Sequence, residues 1–532
     1  MANKNITLLL NLHHPYIRHS EDSSQENEHL YTLLFEKISN VYIPLLNLIA
    51  SLERDNIKFK IPIVFSSTLC TLLSDSIIKE KYVNYLDNLI EFGKKEILRT
   101  KNVKEINRNA TLYFEKTLET KRYFTEVYEQ NLLKYFSKYA KKGLIEILAT
   151  CGTYMFMPHY SDIPEILNAQ IETGLYAVRY FFGISAEGFF LPELGYAPGI
   201  EKVLRMYGVN YTILSSQSFL LGSPSSEKGI FAPARCYNCL SLFASDQMEI
   251  EYNQNPVYKN RNIDIAWELE LSNLNPLVKQ GEARTSSGFC YWNKSFNDSE
   301  IESKNSKKSE YIYNFENAAN QIILDADDFA SKYSNKLNEA SLILKDTDVS
   351  LTCVFDEEML FNSWDEGLIW YENVIRKFNE LGVNVTSFSD LLFDKFSLQK
   401  ITPYYGASVL GSYGEEFLSG KNSWLIRYLR KSSQILVDLA GRFPDDTGLK
   451  VRLLNLGAKE LMLAQSSEWA KMIESNVYSE YAEKTFKDSI IAFTNVFDAL
   501  GSNTVSTEWL CNLEKEHPIF PWMNFRIFCK KK

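Results

Sequence analysis

Glu193 is a carboxylate at a position where a buried core would not place one. It follows the apolar run 188–191 and is framed by Pro192 and Pro198 in apolar and aromatic surroundings. A carboxylate that is partly desolvated and rigidly held suits a nucleophile or an acid–base group. The alternative is that Glu193 only caps the N-terminus of a helix.

A second carboxylate, Asp356, closes the apolar run 349–355 and is followed by Glu357 and Glu358. Two carboxylates at the ends of different strands, among aromatic residues, are the minimal apparatus of a glycosidase. If the carboxyls of Glu193 and Asp356 lie about 5 Å apart, the pair performs a retaining double displacement.

His13 directly follows the apolar run 6–12, and Pro15 fixes the direction in which the chain leaves it. A histidine just past a buried strand can form hydrogen bonds with a ligand. The alternative is a structural histidine bonded to backbone. The small residues that follow the run 144–149, ending at Gly152, would permit close approach of a substrate.

Six short apolar or β-branched runs predict strands, and longer amphipathic segments separate them. The runs are 6–12, 59–65, 144–149, 188–191, 210–214 and 349–355. Strands that alternate with helices indicate a parallel sheet, either open or closed into a barrel. Such barrels build their active sites at the carboxyl ends of the strands, where His13, Glu193 and Asp356 fall.

Three stretches depart from this alternation. Residues 66–142 show only helical patterning, which predicts a helical insertion leaving the end of an early strand. Residues 295–310 are rich in Ser, Asn, Lys and Glu and predict an exposed loop. After about residue 401 helical periodicity dominates, which predicts an all-α C-terminal domain.

The composition restricts the kind of partner. Among 532 residues, 57 are Lys or Arg and 67 are Asp or Glu, so the net charge is −10. This balance disfavours a binder of nucleic acid or of anionic membrane. The longest apolar stretch, 41–52, contains Pro44 and Asn47 and is not expected to span a bilayer. Aromatic residues make up 14%, which fits a thick core or rings that stack on a neutral ligand such as a sugar.

The eight cysteines are scattered along the chain, which predicts reduced thiols and a cytoplasmic protein. Cys236 and Cys239 form a lone C-x-x-C pair, and no second pair or nearby His completes a zinc site. The sequence also lacks a Walker loop, a nucleophile elbow and a dinucleotide-binding glycine motif. We therefore expect neither a metal nor a cofactor.

At these residues the sequence resembles glycoside hydrolase family 57, and within it the α-1,4-glucan branching enzymes, over essentially the whole chain. The segments that carry the resemblance are His13-His14-Pro15, Leu191-Pro192-Glu193 with Gly195-Tyr196, Phe355-Asp356 with Trp364, Leu463–Trp469 and Phe520-Pro521.

The resemblance implies an α/β fold: an incomplete (β/α)7 barrel over residues 1–400, with a helical insertion at 66–142 and a helical C-terminal domain at 401–532. It implies Glu193 as nucleophile and Asp356 as general acid/base. The implied substrate contacts are His13, Tyr413, Trp424 and Glu468. The implied partner is an α-glucan polysaccharide, with the chain a monomer or a small homo-oligomer.

The chain departs from the family pattern mainly at substrate contacts. Asn11 and Tyr154 stand where the family has histidines, and Phe190 stands for a tryptophan. Asn362-Ser363 replaces His-Trp, Ile263 replaces an arginine, Tyr413 replaces a tryptophan and Glu468 replaces an aspartate. Each lost contact removes about 1–3 kcal/mol of binding. Two readings follow: an active branching enzyme, or a diverged member that only hydrolyses α-1,4-glucan or binds it without efficient catalysis.

Overall fold

The computed structural model describes residues 2–19, 25–246, 289, 314–345, 347–361, 366–394, 396–408 and 413–530. The predicted loop at 295–310 and the segments that contain Ile263, Asn362-Ser363 and Trp364 lie outside these residues.

The described part contains nine strands. They are β1 Lys4–Leu12, β2 Ile61–Phe65, β3 Ile145–Leu148, β4 Gly188–Phe189, β5 Tyr211–Leu214, β6 Ala234–Arg235, β7 Ser241–Ala244, β8 Val349–Asp356 and β9 Asn384–Val385. The six predicted strand runs coincide with β1, β2, β3, β4, β5 and β8. Strands β6, β7 and β9 were not among the predicted runs.

The strands form two sheets. The first has the order β3-β2-β1-β8, with β9 also paired to β1, and the second has the order β4-β5-β7-β6. Single parallel bridges connect them, Ala149 to Phe189 on one side and Ser245 to Thr352 on the other. Seven parallel strands therefore form a ring that is fully paired except at these two junctions. This is the predicted incomplete (β/α)7 barrel.

One apolar cluster fills the interior of this ring. Each of the seven strands, or the residue that follows it, contributes at least one side chain. The members are Leu9, Val64, Leu148, Phe190, Leu194, Tyr211, Ile213, Phe243, Val354 and Phe388. Alternate residues such as Leu8 and Leu10 face outward into the core beneath the surrounding helices. Because both faces of each strand are buried, the strands read as continuous apolar runs.

Seventeen α-helices are described. They are α1 Gln25–Lys37, α2 Ile43–Arg54, α3 Ser67–Ser74, α4 Ser76–Arg99, α5 Lys104–Arg122, α6 Leu132–Lys141, α7 Pro164–Phe182, α8 Ile200–Met206, α9 Ser216–Leu220, α10 Phe315–Ile343, α11 Glu357–Phe361, α12 Gly367–Glu380, α13 Trp424–Arg442, α14 Leu449–Ala464, α15 Glu468–Ser475, α16 Ser479–Ser502 and α17 Thr507–Glu516.

Helices α3 to α6 occupy residues 66–142, and helices α13 to α17 follow residue 401. Ser66 and Asp75 begin α3 and α4 by accepting hydrogen bonds from backbone N–H groups of the first turn, as N-cap residues do. The division of the chain at residues 66, 142 and 400 stays a prediction.

Helices α1 and α2 are joined by the π-helical turn Ile38–Tyr42 into one long helix. Within the described residues, its stretch Leu30–Arg54 is long and apolar enough to cross a membrane. By this measure the interruption by Pro44 and Asn47 does not exclude a span, contrary to the sequence analysis. In this structure 67% of its most apolar window is buried inside the protein, as in the core helix of a globular fold.

Candidate active site

A pocket of about 300 Å³ lies at the carboxyl ends of the barrel strands. Its walls come from three parts of the chain: the strand ends of the barrel, helix α1, and helix α15 with the turn that follows it. The residues that matter for its chemistry are His13, Tyr154, Glu193, Asp356, Glu468 and Lys471. Four of the six predicted site residues therefore meet here: His13, Glu193, Asp356 and Glu468.

Glu193 follows β4 in a short turn, and its backbone adopts φ = 56°. This left-handed conformation is uncommon for a residue other than glycine and marks local strain. Ser408 supports the turn, because its backbone N–H and its hydroxyl donate to the Glu193 carbonyl at 2.7 and 2.8 Å. The Glu193 side chain is 12% exposed, and its Oε1 accepts a hydrogen bond from Lys471 Nζ at 2.5 Å.

Asp356 is the last residue of β8, in register with Asn11 of β1. Asn11 Nδ2 donates to Asp356 Oδ1 at 2.7 Å. Desolvation by the surrounding protein and the nearby Glu193 carboxylate raise the pKa of Asp356 to about 6, against the opposing effects of Asn11 and Lys471. The side chain is nonetheless exposed to the pocket. The ionised and protonated forms of Asp356 are therefore both populated around pH 6, as an acid–base group requires.

Tyr154 and His13 form one wall of the pocket. Their rings stack with centroids 4.0 Å apart and an interplanar angle of 10°. The hydroxyl of Tyr154 accepts a hydrogen bond from Asn11 Nδ2 at 2.6 Å, so the two residues that replace family histidines contact each other. Burial and the Glu193 and Asp356 carboxylates raise the pKa of Tyr154, which keeps its phenol neutral.

Glu468 begins α15 and connects this wall to the C-terminal helices. Its carboxylate contacts His13 Nε2 through Oε1 and the Ser466 hydroxyl through Oε2. Ser467 donates to the Tyr154 carbonyl with its backbone N–H and, at 2.7 Å, with its hydroxyl. Tyr154 also has a positive φ of 52°. A serine from a later segment therefore supports both Glu193 and Tyr154 in their left-handed conformations.

A buried ion pair lies beneath Asp356. Lys37 Nζ contacts Glu357 Oε1 at 2.6 Å, and the hydroxyl of Tyr42 donates to Glu357 Oε2 at 2.8 Å. Lys37 also donates to the carbonyl of His13 at 3.0 Å. These bonds satisfy a buried charge and tie the exit of β1 to the exit of β8.

Trp424 and Tyr413 do not line this pocket. Trp424 begins α13 and packs edge-on against Phe486, with centroids 5.4 Å apart. Tyr413 is 44% exposed and stacks on Tyr405 at 6.0 Å. Their assignment as substrate contacts stays a prediction.

Sequence reasoning missed Lys471, and it treated Tyr154 only as a departure from the family pattern. Lys471 lies in the amphipathic helix α15, where a lysine usually belongs to the solvated face. Its position three residues after Glu468, on the same side of the helix, was the available signal.

The described residues contain no cluster of His, Cys, Asp and Glu able to hold a metal ion. Cys236 and Cys239 are free thiols.

Two family models match the chain. Residues 7–265 match glycosyl hydrolase family 57, and residues 428–528 match the C-terminal region of 1,4-alpha-glucan branching enzyme. A 1,4-alpha-glucan branching enzyme of Thermococcus kodakarensis is 22% identical over 508 residues, which cover 90% of this chain and 71% of that protein.

Solved structures agree with the fold. The α-amylase AmyC of Thermotoga maritima has a TM-score of 0.86 at 26% identity, with all of both chains covered. A branching enzyme of the same family from Pyrococcus horikoshii has a TM-score of 0.83 at 20% identity, covering 99% of this chain and 97% of that one. With both family models matched and the barrel and pocket described above, the chain belongs to glycosyl hydrolase family 57.

Proposed function

We propose that the protein is a retaining 1,4-α-glucan branching enzyme, which cleaves α-1,4 linkages and forms α-1,6 linkages by double displacement. The observation that carries this proposal is the unequal environment of two carboxyls in one pocket. Glu193 is paired with the ammonium of Lys471, whereas the pKa of Asp356 is raised to about 6. A nucleophile and a proton donor need this division.

In the first step Glu193 attacks the anomeric carbon of the donor glucan. The bond from that carbon to the glycosidic oxygen breaks, and protonated Asp356 gives its proton to the departing oxygen. The product is a glycosyl-enzyme ester and an ionised Asp356.

In the second step the 6-hydroxyl of an acceptor glucan attacks the anomeric carbon. Asp356 takes the hydroxyl proton, the bond to Glu193 breaks, and Glu193 returns to a carboxylate. Asn11 favours ionised Asp356 through its hydrogen bond, so Asp356 is prepared for this role as base.

Transfer to a glucan requires that water be kept from the ester. Helix α15 supports this requirement, because Glu468, Lys471 and Met472 cover the pocket from the C-terminal side. The same region matches the C-terminal model of branching enzymes, which favours transfer over hydrolysis.

The second candidate is a diverged member that hydrolyses α-1,4-glucan or binds it without efficient turnover. It is favoured by the Asn11–Tyr154 contact, which replaces two family histidines, and by the likeness to an α-amylase at 26% identity.

Incubation with amylose separates the candidates. We expect new α-1,6 linkages, seen as short chains released by a debranching enzyme, with few new reducing ends. Reducing ends without α-1,6 linkages would instead establish hydrolysis. No reaction, with glucan binding equal in wild type and Glu193→Gln, would contradict both catalytic readings.

The proposal also covers the partner, the oligomeric state and the location of the protein. The partner is an α-glucan polysaccharide, the chain acts as a monomer or a small homo-oligomer without a cofactor, and it works in the cytoplasm. The acidic net charge of −10 supports a neutral substrate over nucleic acid.

A further inference from the structure

Lys471 contacts the proposed nucleophile, and the proposed reaction gives it no part. Its Nζ lies 2.5 Å from Glu193 Oε1 and 3.9 Å from Glu416 Oε1, and its side chain is 40% exposed. The nearby carboxylates hold the pKa of Lys471 above its ordinary value, so it stays an ammonium at any pH at which the enzyme works.

The charges around Glu193 are mostly negative. Apart from Glu193 itself, the titratable groups that face the pocket are His13 after β1, Lys37 on α1, Tyr154 after β3, Asp356, Glu357 and Glu358 after β8, Glu416 in the turn Glu415–Leu418, Glu468 and Lys471 on α15, and Tyr478 just before α16. Lys37, the other lysine that lines the pocket among the described residues, is already bound to Glu357. Of the two lysines that line the described pocket, Lys471 is therefore the one that supplies a positive charge to Glu193.

Lys471 is itself held in place. Its ammonium lies 5.9 Å from the ring centroid of Phe417, and Glu416 is adjacent. These contacts do not involve Glu193, so they persist when Glu193 becomes an ester and loses its charge. The ammonium can then still donate to the ester carbonyl oxygen.

We propose that Lys471 is a positioning residue for the reaction at Glu193: its ammonium fixes Oε1 and leaves Oε2 to attack the anomeric carbon. In the second step the electron pair of the breaking bond returns to Oε2, and the ammonium stabilises the carboxylate that reforms. Lys471 neither gives nor accepts a proton in either step. This inference rests on the proposed function and deepens it.

The first test compares the pH dependence of kcat/KM in wild type, Lys471→Met and Lys471→Arg. An opposite charge within about 4–6 Å lowers a carboxyl pKa by about 1–3 units. Lys471 also lowers the pKa of Asp356, so removing its charge raises that pKa and moves the falling limb of the profile to higher pH. Arginine restores the wild-type limbs, and kcat falls more than KM changes in the methionine variant.

Lys421→Met is the matched control, because Lys421 donates to the Glu474 carbonyl at the end of the same helix and lies outside the pocket. We expect its pH limbs to coincide with those of wild type. A uniform fall in activity in Lys471→Met, with unmoved limbs and no recovery in Lys471→Arg, would overturn the proposal.

The second test needs no turnover. A carbodiimide activates a carboxyl, and an amine in contact then forms an amide with loss of the urea, so wild type should yield a Glu193–Lys471 cross-link detectable by peptide mass spectrometry. Lys421→Met should give the same cross-link, because it keeps both partners of the contact. Absence of the Glu193–Lys471 cross-link in wild type would overturn the proposal.

The two tests also separate this inference from the proposed function. If wild type forms the cross-link but does not act on amylose, the proposed function fails while the contact between Lys471 and Glu193 stands. If wild type branches amylose and Lys471→Met keeps its pH limbs, the function stands and the role of Lys471 fails.

Discussion

The barrel and the C-terminal helices contribute to the same pocket by different means. The barrel supplies Glu193 and Asp356 from strand ends, where backbone pairing such as Asn11 with Asp356 fixes their positions. Helix α15 supplies Lys471 and Glu468, whose long side chains reach across from a separate helical region. In the proposed mechanism the barrel residues make and break bonds, whereas the residues of α15 orient them and set the electrostatic environment around them. Substitution of the barrel carboxylates should therefore abolish the reaction, whereas substitutions on the helical side should change its rate or its pH dependence.

Glu193→Gln should have the largest effect, a loss of about 10^4-fold or more in kcat, because an amide is too weak a nucleophile. The measurement is release of branched product from amylose, with circular dichroism to confirm folding. Glu187→Gln is the control, since Glu187 is exposed just before the amino end of the same strand. Comparable loss in both variants would contradict a special role for Glu193.

Asp356→Asn should lower kcat about 10^3-fold for amylose and much less for a donor with a good leaving group, because such a donor needs no protonation. Kinetics with amylose and with a glucosyl fluoride would show the difference. Asp348→Asn removes a carboxyl just before the amino end of the same strand, where it bonds Asn3, and should leave kcat unchanged. An equal loss on both donors would argue against proton transfer by Asp356.

The pH dependence of kcat/KM tests the role of Asp356 at the end of its barrel strand. The first step needs protonated Asp356, whose pKa is raised to about 6, so kcat/KM in wild type should fall as the pH rises through about 6. Asn11 donates to the ionised form, so Asn11→Ala should raise that pKa and move the falling limb to higher pH by less than one unit. Movement to lower pH would contradict this assignment of Asp356.

Ser467→Ala should have the smallest effect of these changes. It removes the hydroxyl that donates to the Tyr154 carbonyl, while the backbone N–H of residue 467 remains. We expect a loss of about 1 kcal/mol in the free energy of unfolding and a few-fold fall in kcat, measured by denaturant unfolding and kinetics. Ser479→Ala is the control, because the hydroxyl of this half-buried residue at the start of α16 donates only to the nearby Asn476 side chain. A loss in kcat as large as that of Asp356→Asn would erase the distinction between the two regions.

The parts of the pocket that could be predicted are those that local sequence specifies. Glu193 and Asp356 stand directly after apolar strand runs, so strand prediction alone places them on the active side of a barrel. Lys471 could not be found in this way, because its contact with Glu193 joins residues 278 positions apart. In the helical pattern of α15 alone, it is indistinguishable from a solvated lysine.

The fold, too, has elements that the sequence predicts and elements that it does not. Strands β1 and β8 are long enough to show continuous apolar runs, whereas β6 and β9 have two residues each and carry no periodic signal. Trp424 shows the converse problem, because an aromatic residue has the same sequence signature whether it faces sugar or packs in a core, and here it packs against Phe486.

The two single-bridge junctions of the barrel have a mechanical consequence. Asp356 belongs to the sheet of β1 and Glu193 follows β4 of the other sheet, so among the described residues no continuous hydrogen-bond ladder joins the two carboxyls proposed to react. The distance between these carboxyls therefore depends on how the two sheets pack against each other through the interior cluster that includes Phe190 and Val354. A change of side-chain volume in that cluster would shift one sheet relative to the other. The spacing that decides between direct attack by Glu193 and attack by an intervening water is therefore set in part by apolar residues that touch no substrate.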